Sequence, residues 1–316
     1  MSSPRPLSRR QFAALVAASA AAGAATPLAF PRSTTASQAA RTVRDVLDRI
    51  RTQIGVDWQA DTVDTVKAGD PDVPITGIVT TSLATIPVLR QAVAAGANLI
   101  VTTHPTFYAR SDARTPPAGR GTGPAGGPPA PPPPDPVFAA KNDLIARNGL
   151  VIFRLSDHWR ARRPDPRAVG IGAAMNWPSG QAPDDPARYT IPATTLDALA
   201  REIRTTLQVR GGLRVIGDAG TRITRVALLP GSTPMAAALS MLPAVDAIVG
   251  GEVREWESAE YVRDAAHAGG GKGLILIGRI VSEEAGMAQC ATWLGTLVPG
   301  IPVRHIAAGD PYWRPA

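Results

Sequence analysis

Cysteine is nearly absent: Cys290 is the single one in 316 residues, which excludes an intramolecular disulfide and any cysteine-rich metal site. Its neighbours Met287, Ala291 and Leu294 fall at helical spacing, so the thiol is expected to be buried and inert. Lysine is almost as scarce, with Lys67, Lys141 and Lys272 the only ones among 33 basic residues. Such a skew toward arginine marks a high-GC genome, and it removes the basic pI as a nucleic-acid signal. Aromatics make up 5% of the chain and do not interleave with the scattered arginines, so no nucleic-acid partner is expected. A G-x-S-x-G elbow is missing, which leaves a serine hydrolase without support. Gly269-Gly270-Gly271-Lys272-Gly273 lacks the first glycine of a P-loop and the Ser or Thr after its lysine, and reads as a turn before a strand. Beyond the amino terminus no apolar run is long enough to span a membrane, so no stable membrane association is expected of the mature chain.

What is present begins with an export signal. Arg5, Arg9 and Arg10 form a basic region, Ser8-Arg9-Arg10-Gln11-Phe12 matches the core of a twin-arginine signal, and an alanine-rich stretch follows to Ala25. Residues 1–25 are therefore read as a leader, and the protein as periplasmic or extracellular. Removing them takes away three arginines and no acid, which lowers the formal charge from +7 to +4. Residues 115–136 are dense in proline and glycine and are expected to form an exposed insertion loop.

The rest alternates between strand and helix patterns, which predicts an α/β fold of two facing modules, about 41–215 and 216–316. Residues 42–54 carry an amphipathic helix pattern. Residues 76–108 read as a βαβ unit, in which Thr85 and Pro87 open the helix and Gly96 closes it. Its second strand, 98–103, delivers His104 to the carboxyl edge, where open α/β sheets bind ligands. The strand at 150–155 delivers Asp157 and His158 to the same edge. Helices are further expected at 137–148, 193–207, 235–242, 255–267 and 283–297, and strands at 213–216, 225–229, 246–249, 273–277 and 301–306. Glu252, Glu255 and Glu257 cluster at a helix start, where the helix dipole favours acids.

Four segments in order carry a family resemblance: GANLIVTTHPTFY closing the βαβ unit, RVALLPGS at 225–232, VDAIVGGEVREWE at 245–257 and GRIVSEEAGM at 278–287. They resemble the NIF-three-like proteins, dinuclear metal-centre hexamers also called "GTP cyclohydrolase type two". The resemblance implies two facing α/β modules with a metal-site cleft between them, a homo-oligomer of hexameric size, and a divalent metal, Zn, Fe, Mn or Co. Carried over residue by residue, it implies His104, Asp157, His158 and Glu283 as metal donors. The chain departs from the pattern where Thr103 stands in place of a second histidine, Arg279 in place of the histidine four residues before Glu283, and Trp256 where relatives often carry histidine. A guanidinium cannot ligate a metal, so Arg279 is expected to limit the site to one metal per chain or to bind a substrate phosphate or carboxylate. Catalytic residues are not assigned by this comparison. The implied function is metal-dependent hydrolysis of a small phosphorylated or nucleotide-like substrate. The alternative is a non-enzymatic exported metal-binding or structural ring protein whose dinuclear site is partly lost. In the structural alternative for the carboxylates, they pair with arginines, Glu283 with Arg279.

The leader reading makes a direct prediction. A reporter fused behind residues 1–40 should leave the cytoplasm by the twin-arginine route alone, and an Arg9→Lys, Arg10→Lys double variant should stay inside. Export of that variant at the original level would rule the leader out.

Overall fold

The computed structural model describes residues 41–110, 112 and 135–315, so the leader and nearly all of the proline-rich insertion lie outside the described residues. The first helix, α1 (Val43–Gln53), is opened by a full capping box in which Thr42 and Asp45 each accept from the other's backbone N–H. Its stripe of Val43, Val46, Leu47 and Ile50 is buried.

The expected βαβ unit is present as β2 (Ile78–Thr81), α2 (Ile86–Ala94) and β3 (Leu99–Thr102), preceded by a short β1 (Val66–Ala68). The Thr85 hydroxyl caps α2, accepting from the Val88 N–H. Past the insertion, Pro136 is the first residue of α3 (Pro136–Arg147), with Asp135 capping its N–H groups, so the loop ends one residue sooner than its composition suggested. β4 (Val151–Arg154) and the short α4 (Asp157–Ala161) follow, then α5 (Pro166–Ala174).

The next stretch was not legible in the sequence. β5 (Gln181–Ala182) and the long β6 (Asp185–Thr195) run through two prolines, and the helix expected from 193 begins only as α6 (Leu196–Thr206) behind the Thr195 cap. Pro192 is tolerated because it falls in the register shift between Thr190 and Thr194, where ladder pairing is broken. There follow β7 (Arg214–Ile216), β8 (Arg222–Ser232), α7 (Met235–Met241), β9 (Ala247–Glu252), α8 (Glu260–Ala265) flanked by π-helical turns, β10 (Gly273–Leu276), α9 (Arg279–Leu297) and β11 (Val303–His305). α9 starts a full turn before its expected first residue.

The strands form two sheets, β1-β4-β3-β2-β11 and β5-β6-β8-β9-β10-β7. β4, β3, β2 and β11 are parallel, as are β8, β9 and β10, with antiparallel strands at the edges. The chain thus enters the second sheet at 181 and returns to the first at 303, so the two sheets do not divide at residue 215. The C-terminal strand closes the first sheet, whatever its position in the sequence.

Helix α9 lies between the sheets. Its first half packs Val281 and Ala285 against the core of the second sheet, around Val226, Val249 and Ile275. Its second half packs Met287, Cys290 and Leu294 against the first, around Leu99, Val151 and Phe153. The Thr80 hydroxyl also donates to the Met287 carbonyl at 2.7 Å. Burial raises the Cys290 thiol pKa far above its ordinary value, in keeping with an inert thiol. Two glycines allow α5 and α9 to touch: a Cβ on Gly170 would lie 2.4 Å from the Ala285 carbonyl, and one on Gly286 would lie 2.8 Å from Arg167 Cγ. That approach brings Arg167 to the side of α9.

Asp246, just before β9, ties that strand to β8. Its carboxylate accepts from the Thr224 and Arg225 N–H groups and the Thr224 hydroxyl, each at 2.9 Å, and from the Arg225 guanidinium at 2.6 Å. Burial alone would raise its pKa, but the Arg225 and Thr224 bonds outweigh burial and hold it at about 2. The folded value lies below the unfolded one, so the stabilisation is complete above about pH 4 and is lost as pH falls through about 2. Asp246→Asn should remove about 2 kcal/mol of unfolding free energy at neutral pH and flatten the acid limb, measured by urea unfolding from about pH 2 to 6.

Candidate functional site

Of the four expected metal donors, the structure brings two together. His104 follows β3, with its N–H bonded to the Ser82 carbonyl at 3.0 Å, and its Nε2 lies 2.6 Å from Glu283 Oε2. Both side chains are buried, Glu283 almost completely. Thr103, at the position of the missing second histidine, turns its hydroxyl to the same Ser82 carbonyl at 3.2 Å. It is committed to the end of β2.

Glu283 has two further partners that the sequence did not reveal. The Arg160 guanidinium donates to both carboxylate oxygens, at 3.2 and 3.3 Å, and the Arg167 guanidinium donates to Oε1 at 3.3 Å. Arg167 is itself shared with Asp165, whose oxygens it meets at 3.1 and 2.8 Å. The other flank of the carboxylate rests on the turn at the end of β8, where a Cβ on Gly231 would come within 2.6 Å of Oε1. Burial pushes the Glu283 pKa up, but the hydrogen bond and charge of His104, with Arg160 and Arg167 behind it, prevail and hold it at about 2. These partners favour the ionised carboxylate.

Asp157 and His158 are not brought to this pair. His158 accepts from the Gln59 N–H through Nε2 at 2.8 Å, which leaves Nδ1 to carry the proton it donates to Asp64 at 2.7 Å. The ring also stacks on Trp58, with centroids 3.8 Å apart and planes within 2°. With both nitrogens engaged and the ring buried, His158 has no lone pair for a metal, contrary to its expected role. The Asp157 side chain turns to the opposite loop, accepting from the Thr62 hydroxyl at 2.9 Å and the Val63 N–H at 3.2 Å.

The carboxylate that matters in this region is Asp64, one aspartate among several in an unremarked loop. Fully buried, it accepts from the N–H groups of Ser156, Asp157 and His158 at 2.6, 3.0 and 2.9 Å and from the His158 ring. It caps the start of α4 from across the chain. No periodic or motif signal distinguishes it in the sequence.

Arg279 does not pair with Glu283. It reaches Glu252 at 2.6 Å, while Glu255 takes Arg214 and Glu257 takes Arg254, so each acid of the cluster at 252–257 has an arginine partner. Arg160 and Arg167 do what was expected of Arg279.

The donor set does not fit a dinuclear metal centre. Among the described residues no three His, Cys, Asp or Glu side chains converge to hold a metal. The His104–Glu283 pair already faces two guanidinium groups. A dication about 4 Å from one guanidinium is repelled by roughly 8 kcal/mol at an effective dielectric of ~20, and two such neighbours stand here. The cluster is a neutralised carboxylate, with His104 held in place by it. Asp64→Ala, which orphans three backbone donors and a ring N–H, should lower unfolding free energy by about 3 kcal/mol, whereas Asp157→Ala, at an exposed position, should cost under about 1 kcal/mol, both by chemical denaturation. Equal costs would show that Asp64 does not organise this loop.

No family model matches the chain, and no curated protein does. Solved structures do. The Staphylococcus aureus hypothetical protein SA1388 superposes with a TM-score of 0.63 at 14% identity, covering 87% of this chain and 99% of its own. A Bacillus cereus protein related to NIF3 gives 0.62 at 12% identity with the same coverages, 87% and 99%. Protein ybgI, described as of unknown function, gives 0.61 at 17% identity, covering 85% of this chain and 99% of its own. Agreement over nearly the whole of each neighbour, with both sheets included, means that this chain has the fold of the NIF3-like proteins.

Proposed function

We propose that this chain is an exported, non-enzymatic binding or structural protein that keeps the NIF3-like fold but works without a dinuclear metal centre. One observation carries the reading: both oxygens of Glu283 are occupied by His104, Arg160 and Arg167. A carboxylate between two guanidinium groups is already compensated, and introducing a metal would require breaking those bonds and placing a dication beside both guanidinium groups. The alternative, a metal-dependent hydrolase acting on a phosphorylated substrate, needs an open coordination position and a metal-activated water. Its expected second imidazole is Thr103, which is bonded elsewhere, and its expected third and fourth donors serve the loop before β1.

Export and assembly belong to the same reading. The twin-arginine pattern supports a site of action outside the cytoplasm, and no helix among the described residues is long and apolar enough to cross a membrane. The family resemblance supports a homo-oligomeric ring.

The test is elemental analysis of the mature protein, as purified and again after incubation with Zn, Mn, Fe(II) or Co and gel filtration, with light scattering on the same column giving the oligomer mass. Substoichiometric metal in every sample is the expected result, together with no turnover across a panel of phosphate esters. One or more tightly held metals per chain, lost in Glu283→Gln, would overturn the proposal, and a monomer mass would remove the ring.

A further inference from the structure

β10 is a switch point of the second sheet. The connections before it pack Ala238 of α7, Leu242 just after it and Val262 of α8 on one face. The chain leaving β10 enters α9, whose Val281 packs on the other face. Where connections diverge in this way a crevice opens at the carboxyl ends of the strands, and ligands of open α/β sheets bind there. Here the crevice is a cavity of about 590 Å³ beside Gly251, Ile277 and Gly278. That size suits a small-molecule ligand.

The C-terminal segment builds the facing wall. Asp310 accepts from the Gly211 N–H at 2.6 Å, and the Arg314 guanidinium donates to the Gly211 and Leu213 carbonyls at 2.9 and 2.8 Å. The fit depends on two adjacent glycines: a Cβ on Gly211 would lie 2.5 Å from Tyr312 Cβ, and one on Gly212 would lie 2.3 Å from Arg314 Nε. So held, the segment presents Tyr312 and Trp313 as cavity-lining residues that are 72% and 71% exposed. Two large aromatic rings are thus fixed at the backbone while their faces stay in solvent.

Arg214 and Arg279 line the same cavity. Arg279 engages Glu252 through one terminal nitrogen, and Arg214 engages Glu255 likewise, each at 2.6 Å. A guanidinium has five N–H donors, so one such contact leaves most of the fork for a second anion. The Arg214–Glu255 pair is exposed and the Arg279–Glu252 pair half-exposed, so both are weak enough to exchange partners.

We propose that this cavity binds a small ligand composed of a planar aromatic ring that carries an anionic group. The ring stacks on Trp313 and Tyr312, and the anion takes the Arg279 fork at the carboxyl edge of β9 and β10. Aromatic faces and guanidinium forks together recognise this chemistry whether it comes as a nucleoside phosphate or as an aromatic carboxylate. The site lies beside the Glu283 cluster but shares no ligand-contacting group with it, and so the proposal goes beyond the metal-independent reading.

The test is calorimetric titration of the mature full-length protein with adenosine monophosphate, 4-hydroxybenzoate, adenosine and inorganic phosphate, with and without EDTA. At least one of the first two should bind about tenfold or more tighter than either adenosine or phosphate, and which of them does so identifies the source. Arg279→Ala and Trp313→Ala should each weaken that binding about tenfold, with thermal unfolding unchanged, and Arg279→Lys should recover part of it. Binding should be indifferent to EDTA, which separates this outcome from any result on metal content. Equal affinity for ring, anion and the combined ligand, full affinity in the two alanine variants, or loss of binding in EDTA would overturn the proposal.

Discussion

Both sheets bury their inner faces on a single helix, and that shared burial organises the molecule. α9 buries a face against each, contributing Val281 and Ala285 to one core and Met287, Cys290 and Leu294 to the other. At about 25 cal/mol per Å² of apolar surface, burying Val281, Met287 and Leu294 stabilises the fold by roughly 1.5–3 kcal/mol each. A helix wedged in this way has no freedom to rotate. Its polar residues are therefore placed by packing, and Glu283 and Glu284 must find partners wherever the two sheets put them.

Glu283 meets His104 from the first sheet, Arg160 and Arg167 from the helices beyond β4, and the glycine turn of β8 from the second sheet. Glu284, one residue on, accepts from the Ser82 hydroxyl at 2.5 Å and the Ala308 N–H at 2.8 Å, and so links the C-terminal segment to the end of β2. Burial raises its pKa, in contrast to its neighbour, because those donors are neutral and do not overcome desolvation. Two adjacent glutamates on one helix thus have opposite electrostatic surroundings. The contrast comes from which cations each can reach. It leaves Glu283 a carboxylate compensated by its arginine neighbours and Glu284 one that is not.

Much of the scaffold was legible in the residues themselves. The Thr42 and Thr85 caps, the 3.6-residue stripe of α1 and the Gly96 stop act within one or two helical turns, so their consequences can be read from a short window. The parallel alternation of strand and helix, the burial of Cys290 and the position of His104 past β3 follow from similarly local rules. β6 was missed because its prolines argue against a strand, and only the partner strand shows that Pro192 falls where pairing is already broken. The short β1 and the return of β11 to the first sheet carry no local signal at all.

The sequence by itself determined where the chain turns, which faces are apolar and which chemistry-bearing residues stand at strand ends. Tertiary structure alone decided which of those residues meet. His158 stands beside Asp157 in the chain, yet it points to Asp64 because the loop before β1 folds over it and Trp58 stacks on its ring. Arg279, one helical turn from Glu283, leans instead to Glu252 at the end of β9, while Arg160 on α4 and Arg167 on α5, more than a hundred residues away in sequence, reach Glu283, the latter because Gly170 and Gly286 let α5 close on α9. The physical reason is range: caps and periodicity are settled among neighbours along the chain, whereas the partner of a buried charge is settled by whichever opposite charge the packing of distant elements brings within hydrogen-bond reach.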